Sequence, residues 1–204
     1  MTTDFIFGLG GSLVFTGVEL FVIVLIIWWF FFYPRRKMLL ARLARKFGLR
    51  YPKRALTLRE SKLEGTWQGC EVKMNPATGG GDSWILLKHP KLRDFLAVIK
   101  PRRPLRLFQD PISMMWSRRE LFVKSLEFDN NFRILGTATL PVEEIITPPI
   151  QKKLIKLARK REYEIQIVKG GIFFTSKKEI SDLDSAEFIF ETLLAIINNI
   201  KEKS

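Results

Sequence analysis

The sequence predicts an α+β protein: one N-terminal transmembrane helix, then a cytoplasmic domain of antiparallel strands with flanking helices. Three observations lead there. Residues 5–33 contain a single ionisable side chain, Glu19. From about residue 63 onward, short alternating segments are punctuated by turn residues, the pattern of half-buried strands. The strands come in groups with interspersed helical stretches and no regular βαβ alternation, which favours α+β over a parallel sheet. The domains expected are an anchor at 1–34, a basic juxtamembrane segment at 35–54 and the α+β domain at 55–204.

The anchor comes first. As a helix, residues 5–33 would reach about 43 Å at ~1.5 Å per residue, where a bilayer core needs about 20 residues. A secretory signal would be shorter, with its basic residues ahead of it and a small-residue cleavage site behind. Here Asp4 precedes the segment, and 35–54 holds nine Lys or Arg and no acid. The positive-inside rule then places the N-terminus outside and the remainder in the cytoplasm, in a single-pass protein of the inner (plasma) membrane. Trp28, Trp29 and Tyr33 would form an aromatic belt at the cytoplasmic interface. Gly8, Ser12 and Thr16 are spaced by four and share a face on which another helix can approach closely. Glu19 lies on about the same side, where it either contacts another membrane subunit or reaches water at the outer interface.

The basic segment is read as lipid-facing through Arg35, Arg36, Lys37, Arg42, Arg45 and Lys46. An amphipathic helix is expected over 37–47, with Leu39, Leu40, Leu43 and Phe47 on one side and Gly48 as its stop. Anionic lipid attracts such a flank by roughly 1 kcal/mol per basic residue. The competing reading is that these charges only fix orientation.

Strands are expected at 63–67 and 70–74 around the two-residue turn Gln68-Gly69, then at 83–88, 105–108 and 121–124. Residues 88–106, with seven basic residues and three prolines, read as an exposed connection. A strand at 131–136, a helical turn at 142–146 and a helix opened by Pro148-Pro149 follow. A hairpin turns at Lys169-Gly170-Gly171, and a last helix capped by Asp184 runs to about Ile200.

Composition narrows the chemistry. The chain carries 34 Lys+Arg and 21 Asp+Glu, hence 34 − 21 = +13, with 47% hydrophobic residues, too many for a disordered basic tail. One Cys and one His leave no material for a disulfide framework or a Cys/His zinc site. The glycines at 79–81 are followed by Asp82-Ser83, not by the Lys-Ser/Thr that a phosphate-binding loop needs. Cys70 reads as a small core residue and His89 as a lone residue at a strand end. Glu143-Glu144 and Asp182/Asp184 read as helix-start acids. Glu127-Phe128-Asp129-Asn130-Asn131 reads as a polar turn before a strand; three acidic or amide oxygens there could touch a cation, but the spacing and closing Glu of a calcium loop are missing. No catalytic residue, cofactor or metal is therefore expected. Arg102-Arg103 and Arg118-Arg119 near Trp116 could mark nucleic acid, but no recognition motif accompanies them.

The stretch Phe128-Asp129-Asn130-Asn131-Phe132-Arg133-Ile134-Leu135-Gly136 precedes Ile146-Thr147-Pro148-Pro149-Ile150-Gln151-Lys152-Lys153-Leu154. With the Gly170-Gly171 hairpin and closing helix, it resembles a loose group of bacterial single-pass membrane-anchored α+β domains without an assigned function. The resemblance spans roughly 126–200, rests on packing motifs and implies fold and anchoring only. The layout alone is similar to that of the accessory H subunit of photosynthetic reaction centres. The expected function is a non-enzymatic accessory or scaffold subunit that docks on other membrane protein subunits and on anionic phospholipid. A free-standing binder of anionic lipid, nucleotide or nucleic acid is the alternative.

Overall fold

Apolar residues at every second position pair from strand to strand into one nine-stranded antiparallel sheet. The computed structural model describes residues 18–24, 26–27, 37–51, 62–77, 82–90, 92, 96–102, 119–136 and 142–203. It divides into two units, Met1–Ala41 and Arg42–Ser204. The strands are β1 (Leu49–Arg50), β2 (Leu63–Trp67), β3 (Cys70–Asn75), β4 (Ser83–Lys88), β5 (Ala97–Pro101), β6 (Arg119–Leu121), β7 (Phe132–Gly136), β8 (Tyr163–Val168) and β9 (Gly171–Ser176). Their order in the sheet is β1-β2-β3-β4-β9-β8-β5-β7-β6.

One row of register partners shows where the core sits. Leu63, Met74, Ile85, Phe174, Ile165, Ile99 and Ile134 pair in that sequence across the sheet, and all are buried. Each such side chain contributes about 1.5–3 kcal/mol by leaving water. The alternate positions, among them Trp84, Phe173 and Gln166, are half-buried on the opposite face.

Helices close the buried face. They are α1 (37–47), α2 (Leu126–Asn131), α3 (Val142–Ile145), α4 (Pro148–Lys160) and α5 (Leu183–Lys203). Phe47 of α1 stacks on Phe190 of α5 at 4.4 Å and meets Trp67 of β2 edge-on at 5.5 Å. Tyr163 of β8 donates its hydroxyl to the Leu154 carbonyl of α4 at 2.9 Å. Lys153 and Lys156 of α4 meet Glu191 (3.5 Å) and the Phe188 ring (5.1 Å) of α5. Thus α5 lies between α1 and α4. Phe128 of α2 stacks on Phe132 at 4.5 Å and extends the core past β7.

Several expectations change. The N-terminal transmembrane helix is corrected: among the described residues, no helix is long and apolar enough to cross a membrane. Those between 18 and 27 are helical, with Leu20, Phe21 and Ile23 exposed. The rest of 1–34 lies outside the described residues. The 21 residues of α5 carry Asp184, Glu187, Glu191, Lys201 and Glu202, so that helix does not qualify either. The single-pass topology and the inner-membrane placement that rested on the anchor go with it.

Residues 97–101 are the second correction. They form a strand with neighbours on both sides, not an exposed connection. Ala97, Val98 and Ile99 are buried, and β8 pairs only with residues 97–99. Pro101 therefore sits where β7 is its one neighbour, so its missing N–H breaks no central ladder. The third is α2, which covers the whole of the polar turn expected at 127–131. The strand expected at 121–124 is placed earlier, as Arg119–Leu121, and 105–108 lies outside the described residues. Finally, α5 is capped by Asp182, whose Oδ1 accepts the Ser185 N–H at 2.7 Å, and not by Asp184.

Candidate functional site

Among the residues expected to dock or bind, Gly8, Ser12, Thr16, Trp28, Trp29, Tyr33, Arg35 and Arg36 lie outside the described residues. Glu19 is exposed on its helix. Lys37, Arg42, Arg45 and Lys46 are all exposed on α1, while Leu43 and Phe47 are buried. Lys46 is not free for lipid as it stands: its Nζ lies 2.6 Å from Glu187 Oε2.

The remaining polar candidates are absorbed by the fold. Asp129 accepts the backbone N–H groups of Val123 and Ser125, each at 3.2 Å, so its carboxylate holds the entry to α2. Cys70 is buried, and burial pushes its thiol up despite the charge of Lys201. Arg102 donates to the carbonyls of Asp129 and Phe132 at 2.8 and 3.0 Å and pairs with Glu120, which also meets Arg133. It is thereby tied to β6, α2 and β7, while Arg103, Trp116 and Arg118 lie outside the described residues. Among the described residues, no three His, Cys, Asp or Glu side chains gather as a metal set.

A different place stands out. The C-terminal end of α4 and the segment after β9 border a shallow, open cleft of about 400 Å³, lined by Ala158, Arg159, Lys160, Arg161, Glu162, Lys177 and Lys178. The β8–β9 hairpin creates it. Gly170 takes φ +81 in the connection, and Gly171 allows the close approach of β4, since a Cβ there would stand 2.9 Å from the Leu87 carbonyl. Tyr163 then pairs with Ser176, which brings Arg161-Glu162 alongside Lys177-Lys178.

The walls are fixed by hydrogen bonds. Ser83 Oγ donates to the Lys178 carbonyl at 2.7 Å, and the Lys178 N–H donates to Ser176 Oγ at 3.2 Å. Ile180 is buried and its N–H donates to the Pro76 carbonyl at 3.1 Å. Lys178 Nζ donates to the Lys160 carbonyl at 3.2 Å, a cation where the carbonyl end of α4 carries partial negative charge.

Arg161 is the unusual member. It is 8% exposed, and its Nε and Nη1 are buried with no hydrogen-bond partner among the described residues. Burial lowers its guanidinium below the ordinary value, and the charge of Asp182 only partly offsets this. Asp182 is itself engaged. Burial alone would raise its carboxyl, but hydrogen bonds from the Ser185 N–H, the Ser185 hydroxyl and the Ser181 hydroxyl, with the charge of Arg161, hold it below the usual range. Five cations around the cleft against Glu162 and Asp182 leave a local charge of 5 − 2 = +3.

Sequence reasoning passed over Arg161 as the last residue of a helix. Its signal was the hairpin register, which sets one basic pair beside another.

No protein-family model matches the chain, and no curated protein matches it. Among solved structures it is similar to the crystal structure of the mycobacterial trehalose monomycolate transport factor A, TtfA. The identity is 7% and the TM-score 0.48, over 81% of this chain and 92% of that one. A likeness at that level carries nothing about what this chain binds.

Proposed function

We propose that the chain is a non-catalytic docking module, an accessory subunit that seats reversibly against a negatively charged surface, with anionic phospholipid headgroups as that surface. One observation carries the reading: the outer side of α4 and the segment after β9 hold Lys152, Lys156, Arg159, Lys160, Lys177 and Lys178, all exposed. Arg159 and Lys177 have no ion-pair partner among the described residues. Glu187 pairs with Lys46 and Glu191 with Lys153 at the surface between helices, which leaves the outer side of α4 with cations in excess. Like charges gathered at a surface repel one another and are relieved by an anionic partner.

Co-sedimentation of the full chain with vesicles tests this. Binding is expected to vesicles containing phosphatidylserine and not to neutral phosphatidylcholine, and to fall as salt shortens the Debye length. Lys152→Gln with Lys156→Gln removes two contributions of roughly 1 kcal/mol each, about thirtyfold in affinity. Equal recovery on neutral and anionic vesicles would remove the lipid reading.

A further inference from the structure

A buried guanidinium without an acceptor is rare in a folded protein, because each unsatisfied donor costs about 1–3 kcal/mol. Where it lines an open cleft, the missing acceptor can come from outside. Arg161 combines the two: it is among the residues that line the cleft, and its Nε and Nη1 are buried just behind the surface with no partner among the described residues. Asp182 acts on Arg161 through its charge and makes no hydrogen bond to Nε or Nη1; its oxygens accept from Ser181 and Ser185. Lys177 and Lys178 stand across from it on a backbone held by Ser83 and Ser176. The backbone of that wall is therefore set before any ligand arrives, which lowers the ordering cost of binding, while the buried Arg161 fork turns outward to meet the ligand.

We infer that this cleft is a specific binding site for a phosphate monoester, with Arg161 as its central contact and Lys160, Lys177 and Lys178 at its rim. Charge and geometry select that class. A monoester carries about −1.5 to −2 at neutral pH and presents three acceptor oxygens, whereas a diester carries about −1. A local charge of +3 gains more from the former. The planar guanidinium matches phosphate better than an ammonium does. The cleft is open to solvent, so a phosphate can enter together with the group that bears it. Among the described residues no aromatic side chain lines the cleft to stack a base, so a nucleotide gains little beyond its phosphates. The same chemistry is offered by a lipid headgroup, phosphatidic acid, and by free phosphate. The inference deepens the docking reading by giving the charged surface one selective contact.

Two experiments on the full chain test it and separate the sources. In the first, inorganic phosphate is titrated while the 15N resonances of the Arg161 side chain and of the amides at 160–162 and 177–179 are followed. Saturable shifts at these positions, absent with chloride at equal ionic strength, are expected. In the second, vesicles of equal surface charge containing phosphatidic acid or phosphatidylserine are compared, with about tenfold tighter binding expected for phosphatidic acid.

Arg161→Met should abolish the phosphate shifts and the headgroup preference while leaving salt-sensitive binding to both vesicles. Arg161→Lys keeps the charge but not the fork and should recover little of the preference. If neither vesicle binds but phosphate still shifts Arg161, the docking reading fails and the site stands as one for a soluble phosphate. The absence of phosphate-specific shifts in the unaltered protein would overturn the site, whatever the vesicles show, and needs no variant to fold.

Discussion

Tyr163 shows how a single polar atom joins two layers of this protein. Its ring lies in the core against Phe174, at 5.7 Å, and its hydroxyl donates to the Leu154 carbonyl. Burial raises its phenol well above the ordinary value of 10.0. A folded-state pKa above the unfolded one means that the stabilising contribution is complete below pH 10.0 and is lost as pH rises toward the folded value. Burial acts in the same direction on Cys70, from an ordinary value of 9.0. Tyr163→Phe should therefore cost about 1 kcal/mol at neutral pH, and it should flatten the alkaline loss of stability. Urea midpoints for the two proteins across neutral to alkaline pH check both statements, and curves that run parallel would contradict the second. Cys70 itself was legible from sequence as a small core residue. The cap of α5 was not, because Asp182 and Asp184 flank its first residue, Leu183, and only Asp182 reaches the Ser185 amide. Arg161 was invisible for a related reason: nothing in a basic helix end distinguishes a solvated charge from a buried one.

At the scale of elements, the hairpins were plain in the sequence because their turns are local. Gln68-Gly69 takes φ of 47 and 78, the left-handed pair that a two-residue hairpin requires. Strand β5 was hidden because its evidence is not local. Its prolines and basic neighbours argue for a loop, and only pairing with β8 and β7 makes Ala97-Val98-Ile99 a central segment. Ile99→Ala consequently creates a cavity between two strands and should cost about 2–5 kcal/mol, measured by denaturant unfolding. A loss under about 0.5 kcal/mol, the surface range, would return this segment to an exposed connection. The expected strand at 121–124 and the polar turn that is α2 failed in the same way. Phe128 was read with the acidic and amide residues around it, although its ring stacks on Phe132 inside the core.

Across the whole molecule, hydrophobic pattern and charge pattern speak to different questions. The alternating apolar residues build one antiparallel sheet with its helices on the buried face, and the α+β reading of 55–204 rested on them. The charge pattern near the N-terminus suggested a membrane topology that the described helices do not supply. Among the described residues, Arg102 and Arg133 are tied up around Glu120 and Lys46 and Lys153 are paired with α5, whereas the end of α4 and the segment after β9 bring five cations together at one cleft. That distribution, rather than the net charge of +13, supports a docking role.

The most direct measurement is hydrogen exchange of the full chain with and without vesicles containing phosphatidic acid. If the molecule docks by its basic cleft, exchange slows at 158–162 and 176–182, and the effect disappears at high salt and in Arg161→Met. Unchanged exchange at those residues in the presence of bound vesicles would contradict the account.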